Sequence, residues 1–252
     1  MNLAALDIDG TLYGGTLGFA LLDELHACGL VSAHAIQSVR DTMRDHRGAG
    51  DRFRHTTGPA SAAYARAMEG VRHTDAVRAS RTAWLRVRHL LLDSTAPLVD
   101  GLRRNGFTPV LLSGSPQEMA DRLADEFGIV HRFGMRLASD ADSAYTLRFL
   151  SLPAVPEIKA DLLRTLAADL GADLRTAVAV GNSASDRALL GAVGNPVAFE
   201  PDDALRALAR DKGWTVADRH TLVPLVNALT APCTHRAVRV PPLERSLHAY
   251  SS

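Results

Sequence analysis

The chain has 252 residues, a formal net charge of zero, and 46% hydrophobic against 22% charged residues. That length can bury a core as one large domain or a domain with an insert, and the composition excludes a disordered chain. A zero balance gives no general case for nucleic-acid or membrane binding, and no apolar run reaches the ~18 residues of a membrane span.

The N-terminus lacks a basic start, and carboxylates interrupt its apolar run at once, unlike a secretory leader. Cys28 and Cys233 lie far apart with no metal-type spacing, so a reducing compartment, the cytoplasm, is expected.

Asn2 to Ile8 is an apolar run before a glycine turn and reads as a buried strand. From Leu17 to Leu92 the pattern is helical, with segments at Phe19–Leu25 and around 33–45, 60–70 and 74–92, broken by Gly48, Gly50, Gly58 and Pro59. Leu98 to Arg104 reads as a short helix stopped by Asn105-Gly106. Thr108 to Gly114 is a second buried strand, and Pro116 opens a helix to about Phe127. Ile129 to Leu137 and Tyr145 to Leu150 alternate like a hairpin or two short strands. Pro156 opens a helix through Leu170, and Thr176 to Val180 is a third buried strand with a helix from about Ser185. Val197 to Phe199, a helix over Asp202 to Asp211, and a short strand at Trp214 to Ala217 follow, and the tail from Pro232 to Ser252 is weakly periodic.

This alternation predicts an α/β fold, a doubly wound parallel sheet with helices on both faces. The helical stretch after the first strand is too long for a crossover and reads as an inserted α-helical subdomain. The expected division is a core of residues 1–15 and 94–230, an insert of 16–93, and an extension of 231–252.

Ligands of open α/β sheets bind at the carboxyl ends of strands. Three such ends carry unusual residues: Asp7-Ile8-Asp9-Gly10-Thr11, Ser113-Gly114-Ser115, and Gly181 through Asp186. Side chains alternate along a strand, so Asp7 and Asp9 can aim at one point, and two close carboxylates repel unless a cation or a shared proton compensates. Mg²⁺ suits them, since it takes a few carboxylates, waters and substrate phosphate. Ser113 and the N–H groups of the next helix start suit phosphate oxygens. Only Lys159 and Lys212 of the 28 basic residues are lysines, and Lys159 at a helix start can add positive charge to the site. Together these pieces describe a phosphoryl-transfer site.

The set D-x-D-G-T, S-G, K and G-N-S-x-S-D, in that order, resembles the haloacid dehalogenase superfamily of phosphatases. The insert resembles the helical C1 cap of subfamily IB, which includes phosphoserine phosphatase. The resemblance implies that Asp7 is the nucleophile and Asp9 the acid and base. It implies that Thr11 supports the Asp7 loop beside the phosphate, and that Ser113, Gly114 and Lys159 bind the phosphoryl group. Asp7, Asp9, Asn182 and Asp186 would hold Mg²⁺. Two positions depart from the pattern: Asn182 stands in place of an aspartate, and Thr16 in place of the glutamate with which phosphoserine phosphatases recognise the substrate ammonium.

The implied activity is hydrolysis of a small phosphate monoester. A phosphotransferase on the same scaffold, or a non-catalytic phospholigand-binding module with a degraded metal site, are the alternatives. Over residues 36–90 eleven arginines face five acids. They read either as a solvated helical surface or as a complement to a second anionic group on the substrate, through bidentate pairing. The partner expected is a small phosphorylated metabolite, with no nucleic acid, no membrane and an open oligomeric state.

Overall fold

β1 (Asn2–Leu6) forms over the first apolar run, and its side chains divide between two cores. Leu3 and Ala5 enter one hydrophobic cluster while Ala4 and Leu6 enter the other. Period-two alternation buried on both faces is the mark of a central parallel strand. The computed structural model describes residues 1–46 and 58–232. Nearly all of the expected extension, and the insert's Gly48 and Gly50, lie outside the described residues.

β2 (Phe107–Pro116), β3 (His131–Ser139), β4 (Tyr145–Ser151), β5 (Val178–Gly181), β6 (Asn195–Phe199) and β7 (Thr215–Ala217) complete a seven-stranded sheet. Its order is β4-β3-β2-β1-β5-β6-β7, parallel throughout except for the antiparallel β3–β4 pair. Strand order reverses at β1, which has β2 on one side and β5 on the other. The three strand ends singled out in the sequence are therefore neighbours at a topological switch point, the preferred place for a ligand in such sheets.

The helices are α1 (Leu17–Ala27), α2 (Ala33–His46), α3 (Pro59–Met68), α4 (His73–Val87), α5 (Thr95–Arg104), α6 (Gln117–Phe127), α7 (Pro156–Leu170), α8 (Arg187–Leu190), α9 (Asp203–Lys212) and α10 (Leu222–Thr230). α7, α8 and α9 supply Leu163, Leu189, Leu190 and Leu205 to the cluster on one face of the sheet. α5, α6 and α10 supply Leu98, Leu102, Met119, Leu123, Leu222 and Val226 to the other, and the apolar stripes of α1–α4 join that same cluster.

Three elements differ from the sequence reading. The third strand starts at Val178, because Thr176 and Ala177 close turns onto Asp173 O and Leu174 O. The helix expected from Ser185 is a 3₁₀ turn over Ala184–Asp186 followed by the single-turn α8. α10 was not expected, since Pro224 interrupts its sequence; it sits in the first turn, where a missing N–H costs nothing.

The chain leaves and re-enters the sheet through two paired segments. Gly14 N–H donates to Leu90 O at 2.8 Å and Leu92 N–H to Leu12 O at 2.9 Å. Thr95 Oγ1 also donates to Leu12 O, at 2.6 Å in a buried setting. Thr95→Val keeps the shape and removes that bond, so urea unfolding should show a loss of about 1–2 kcal/mol. An unchanged midpoint would mean that the second bond to Leu12 O suffices alone.

Candidate active site

The Asp7–Thr11 stretch turns sharply as it leaves β1. Thr11, Leu12 and Tyr13 N–H all donate to Ile8 O, and Gly10 N–H donates to Tyr13 O at 2.8 Å. Gly10 has φ +82°, which favours glycine, and a Cβ there would collide with the Asn182 amide. The turn keeps both carboxylates at the strand end but gives them separate partners.

Asp7 Oδ2 accepts from Thr11 Oγ1 at 3.1 Å, and Oδ1 accepts from Lys159 Nζ at 2.7 Å. Asp9 Oδ1 accepts from the Leu17 N–H at 3.1 Å, at the start of α1, and Oδ2 from Ser115 Oγ at 2.7 Å. Ser115 was quoted in the sequence motif without a role. Its position two residues beyond Ser113 on one strand was the signal available. Ser113 Oγ accepts from Ser115 N–H at 3.1 Å, which leaves the Ser113 proton free for a ligand. Gly114 lies against the loop before α7, where a Cβ would stand 3.0 Å from Ala154 Cβ.

Lys159 is buried at 1% exposure and reaches across to Asp186 Oδ1 at 2.6 Å as well as to Asp7. Asp186 Oδ2 accepts from Asn182 N–H at 2.9 Å and Ser183 N–H at 3.0 Å. The carboxyl folds beneath Gly181, where a Cβ would come within 2.5 Å of Asp186 Cγ. Glycine ends β5 because no larger residue leaves room for Asp186. Asp202 fixes the outside of the loop: it accepts from Ala184 N–H at 3.0 Å and caps α9 through Leu205 N–H at 2.7 Å.

Every residue proposed for the site thus lies at the ends of β1, β2 and β5 or at the start of α7. Lys159 joins three of those elements directly.

The charges do not balance. Burial pushes Asp7 up to about 7, the Asp186 charge adds to this, and Lys159 opposes it. Burial pushes Asp9 up to about 6 against the lowering effect of its Ser115 bond. Burial alone would lower Lys159, but Asp186 and Asp7 outweigh it and hold the ammonium above its ordinary range.

One ammonium among three carboxylates leaves room for a divalent cation. Among the described residues no three His, Cys, Asp or Glu side chains form a ready metal-binding group. Mg²⁺ does not require one, since it is held by one or two carboxylates with waters and substrate phosphate. The oxygen donors of Asp7, Asn182 and Asp186 with the Asp9 carbonyl are of the kind that ion takes.

Residues 4–191 match the haloacid dehalogenase-like hydrolase family, and the chain belongs to it. The inhibition of morphological differentiation protein of Streptomyces azureus is 32% identical over 136 residues, 54% of this chain and 49% of that protein. A phosphoserine phosphatase of Mycobacterium tuberculosis is 33% identical over 108 residues, 43% of this chain and 35% of that protein. The chain spans about half or less of the length of these relatives. Among solved structures, a Bordetella pertussis protein of unknown function superposes with a TM-score of 0.71 at 23% identity, covering 86% of this chain and 98% of its own. A phospho-aspartyl intermediate analogue of phosphoserine phosphatase gives 0.65 at 17% identity, covering 88% and 97%. Both likenesses are of fold.

The raised Asp7 value has a consequence for stability. The folded chain binds the Asp7 proton between 3.8 and about 7 while the unfolded chain has released it. Stability from this group is present below that window and is lost as pH rises through it. With divalent cations chelated, Asp7→Asn should therefore gain about 1–3 kcal/mol on wild type between pH 5 and pH 8 by urea unfolding. Parallel pH profiles for the two proteins would contradict the assigned environment.

Proposed function

We propose that the chain is a cytoplasmic Mg²⁺-dependent phosphatase that hydrolyses a small phosphate monoester through an aspartyl-phosphate on Asp7. Residues 16–93 would act as a cap on a core formed by 1–15 and 94–230. The observation that carries this reading is the unequal setting of two carboxylates at one strand end. Asp7 is held by a buried ammonium and the Thr11 hydroxyl, whereas Asp9 is held by the Ser115 hydroxyl and an N–H; burial pushes both up, Asp7 to about 7 and Asp9 to about 6. Two carboxylates with different surroundings can take different roles in one reaction.

Asp7 Oδ attacks phosphorus, and the bond from phosphorus to the ester oxygen breaks. Asp9 gives its proton to the departing alcohol oxygen. Asp9, now a carboxylate, takes a proton from a water that attacks the aspartyl-phosphate, and the phosphorus–Asp7 bond breaks to release phosphate. A group with pKa about 6 can be acid in the first step and base in the second near neutral pH. Thr11 keeps Asp7 oriented at the edge of the phosphate site, Ser113 and Gly114 take phosphoryl oxygens, and Lys159 offsets their charge. Asp7, the Asp9 carbonyl, Asn182 and Asp186 would hold Mg²⁺, which supplies positive charge at the transferring phosphoryl. Covalent catalysis of this kind divides one difficult displacement into two.

The relatives support the reading: one is a phosphoserine phosphatase, and the fold matches a phosphoserine phosphatase solved as a phospho-aspartyl intermediate analogue. The arginines of 36–90 add little to it. All eight described ones are exposed, and Arg40, Arg44, Arg78, Arg86 and Arg88 pair with Asp23, Asp41, Asp75, Glu24 and Glu126.

Phosphate release from an aryl phosphate should require Mg²⁺ and fall to background in Asp7→Asn. In Asp9→Asn it should fall by about 10²–10⁴-fold for an alkyl phosphate. Wild-type rates from metal-replete Asp7→Asn would overturn the mechanism. Transfer to an added alcohol in preference to water would make the enzyme a phosphotransferase, and no turnover at all would leave a binding module.

Asn182 carries a separate test. An amide in place of a carboxylate removes one negative charge from the metal site, so Asn182→Asp should tighten Mg²⁺ by about 10- to 100-fold, measured directly by calorimetry. An unchanged affinity would mean that Asn182 does not touch the metal.

A further inference from the structure

Away from the strand ends, α4 packs against α6 and leaves a cavity of about 340 Å³, lined by Arg81, Trp84, Leu85, Arg122, Asp125 and Glu126. α6 starts at Gln117, just after the strand end that carries Ser115. Residues 122–126 lie on the order of 10 Å further along that helix, at 1.5 Å of rise per residue. None of the six lining residues has a part in the phosphoryl site.

The polar groups around this cavity are unevenly satisfied. Glu126 is fully engaged: Oε2 accepts from Trp84 Nε1 at 3.2 Å, and Oε1 meets Arg88 Nη2 at 2.8 Å. Asp125 Oδ2 pairs with Arg122 Nη2 at 3.2 Å, and its Oδ1 lies 4.0 Å from Arg132 Nη2. Each lining carboxylate therefore has a cation beside it. The donors are not matched in return. Arg122 Nε is buried with no hydrogen-bond partner, and Arg81 makes no ion pair among the described residues. A guanidinium only donates, so what the cavity lacks is an acceptor. A buried donor left unpaired is costly and rare in native folds. The rest of the wall is apolar: Trp84 is 5% exposed, and Leu85 stands out at 69%.

We propose that the cavity between α4 and α6 is a binding site for a small aromatic carboxylate. Its carboxylate would accept from Arg122 Nε and from Arg81, and its ring would lie along Trp84 and Leu85. A carboxylate suits the planar fork of arginine, and the free positive charge of Arg81 answers its charge. A cation would meet Arg81 and Arg122 with no carboxylate left over for it. A neutral apolar molecule would leave the Arg122 Nε–H unpaired. The bound acid would join α4 to α6, beside the contact that Trp84 and Arg88 already make with Glu126. Arg81, which has no part in the phosphoryl site, thereby gains one here.

The test titrates the full chain with phenylacetate while tryptophan emission is recorded. Its comparisons are phenylacetamide, a neutral isostere, and acetate, the same carboxylate without the ring. The chain has two tryptophans, Trp84 and Trp214, and Trp214 packs on the cluster at the other face of the sheet. Trp214→Phe therefore isolates the emission of Trp84. Phenylacetate should saturate that signal with a Kd of about 1 mM or below. Phenylacetamide should bind about 10- to 100-fold more weakly, the range of a charged hydrogen bond. Acetate should be weaker by about 10-fold or more, because it buries no ring. Arg81→Gln should weaken phenylacetate about 10-fold with the Tm of the ligand-free protein unchanged. Arg122→Lys keeps a cation beside Asp125 but removes the Nε–H, and should weaken it to a similar degree. No saturable change, equal affinity for the amide or for acetate, or wild-type binding in either variant overturns the site.

Discussion

The interaction on which the site depends is the pair of ion contacts made by Lys159. One ammonium, 1% exposed, reaches Asp7 at the end of β1 and Asp186 beyond the end of β5. Without it two buried carboxylates would face each other unpaired, which is strongly destabilising. With it, charge is compensated for only one of them. Burial, with the excess charge of Asp186 added to it, pushes Asp7 to about 7. The same excess costs stability in the metal-free fold, as is common where function needs charges in close quarters.

Charge can be concentrated there because the backbone around it is closely packed. Gly181 admits the Asp186 carboxyl beneath the strand end, and Gly10 admits the Asn182 amide against the β1 turn. Asp202 caps α9 and holds the same loop from outside. These contacts lie among strands whose two faces are buried in separate cores, so the carboxylates are held by rigid elements. The price of that rigidity is narrow tolerance: any side chain at Gly181 would displace Asp186, and with it Lys159.

The insert is bound to the sheet at two places. Its linkers pair with each other through Gly14, Leu90, Leu12 and Leu92, and its α3–α4 turn pairs with the start of β4. Helix α1 starts at Asp9, through the Leu17 N–H. The helical segment is therefore tied to the Asp9 carboxylate as well as to the sheet. It supplies one of the two donors that hydrogen-bond the Asp9 carboxylate.

The sequence by itself determined the α/β sheet and the strand ends at which the candidate site residues gather. Apolar runs ending in DxDGT, SGS and GNS fall at strand ends because strand period and turn chemistry are local properties, readable from neighbouring residues. Lysine scarcity drew attention to Lys159, but its partners lie 152 and 27 residues away, and only folding decided that it faces two carboxylates. The same holds for Ser115 on Asp9, 106 residues apart, and for Tyr145 on Glu118. The arginine surplus, conspicuous in the sequence, lies on the exposed face in every described case. Composition cannot tell which way a helix face turns. That is settled by which apolar stripe the core takes up.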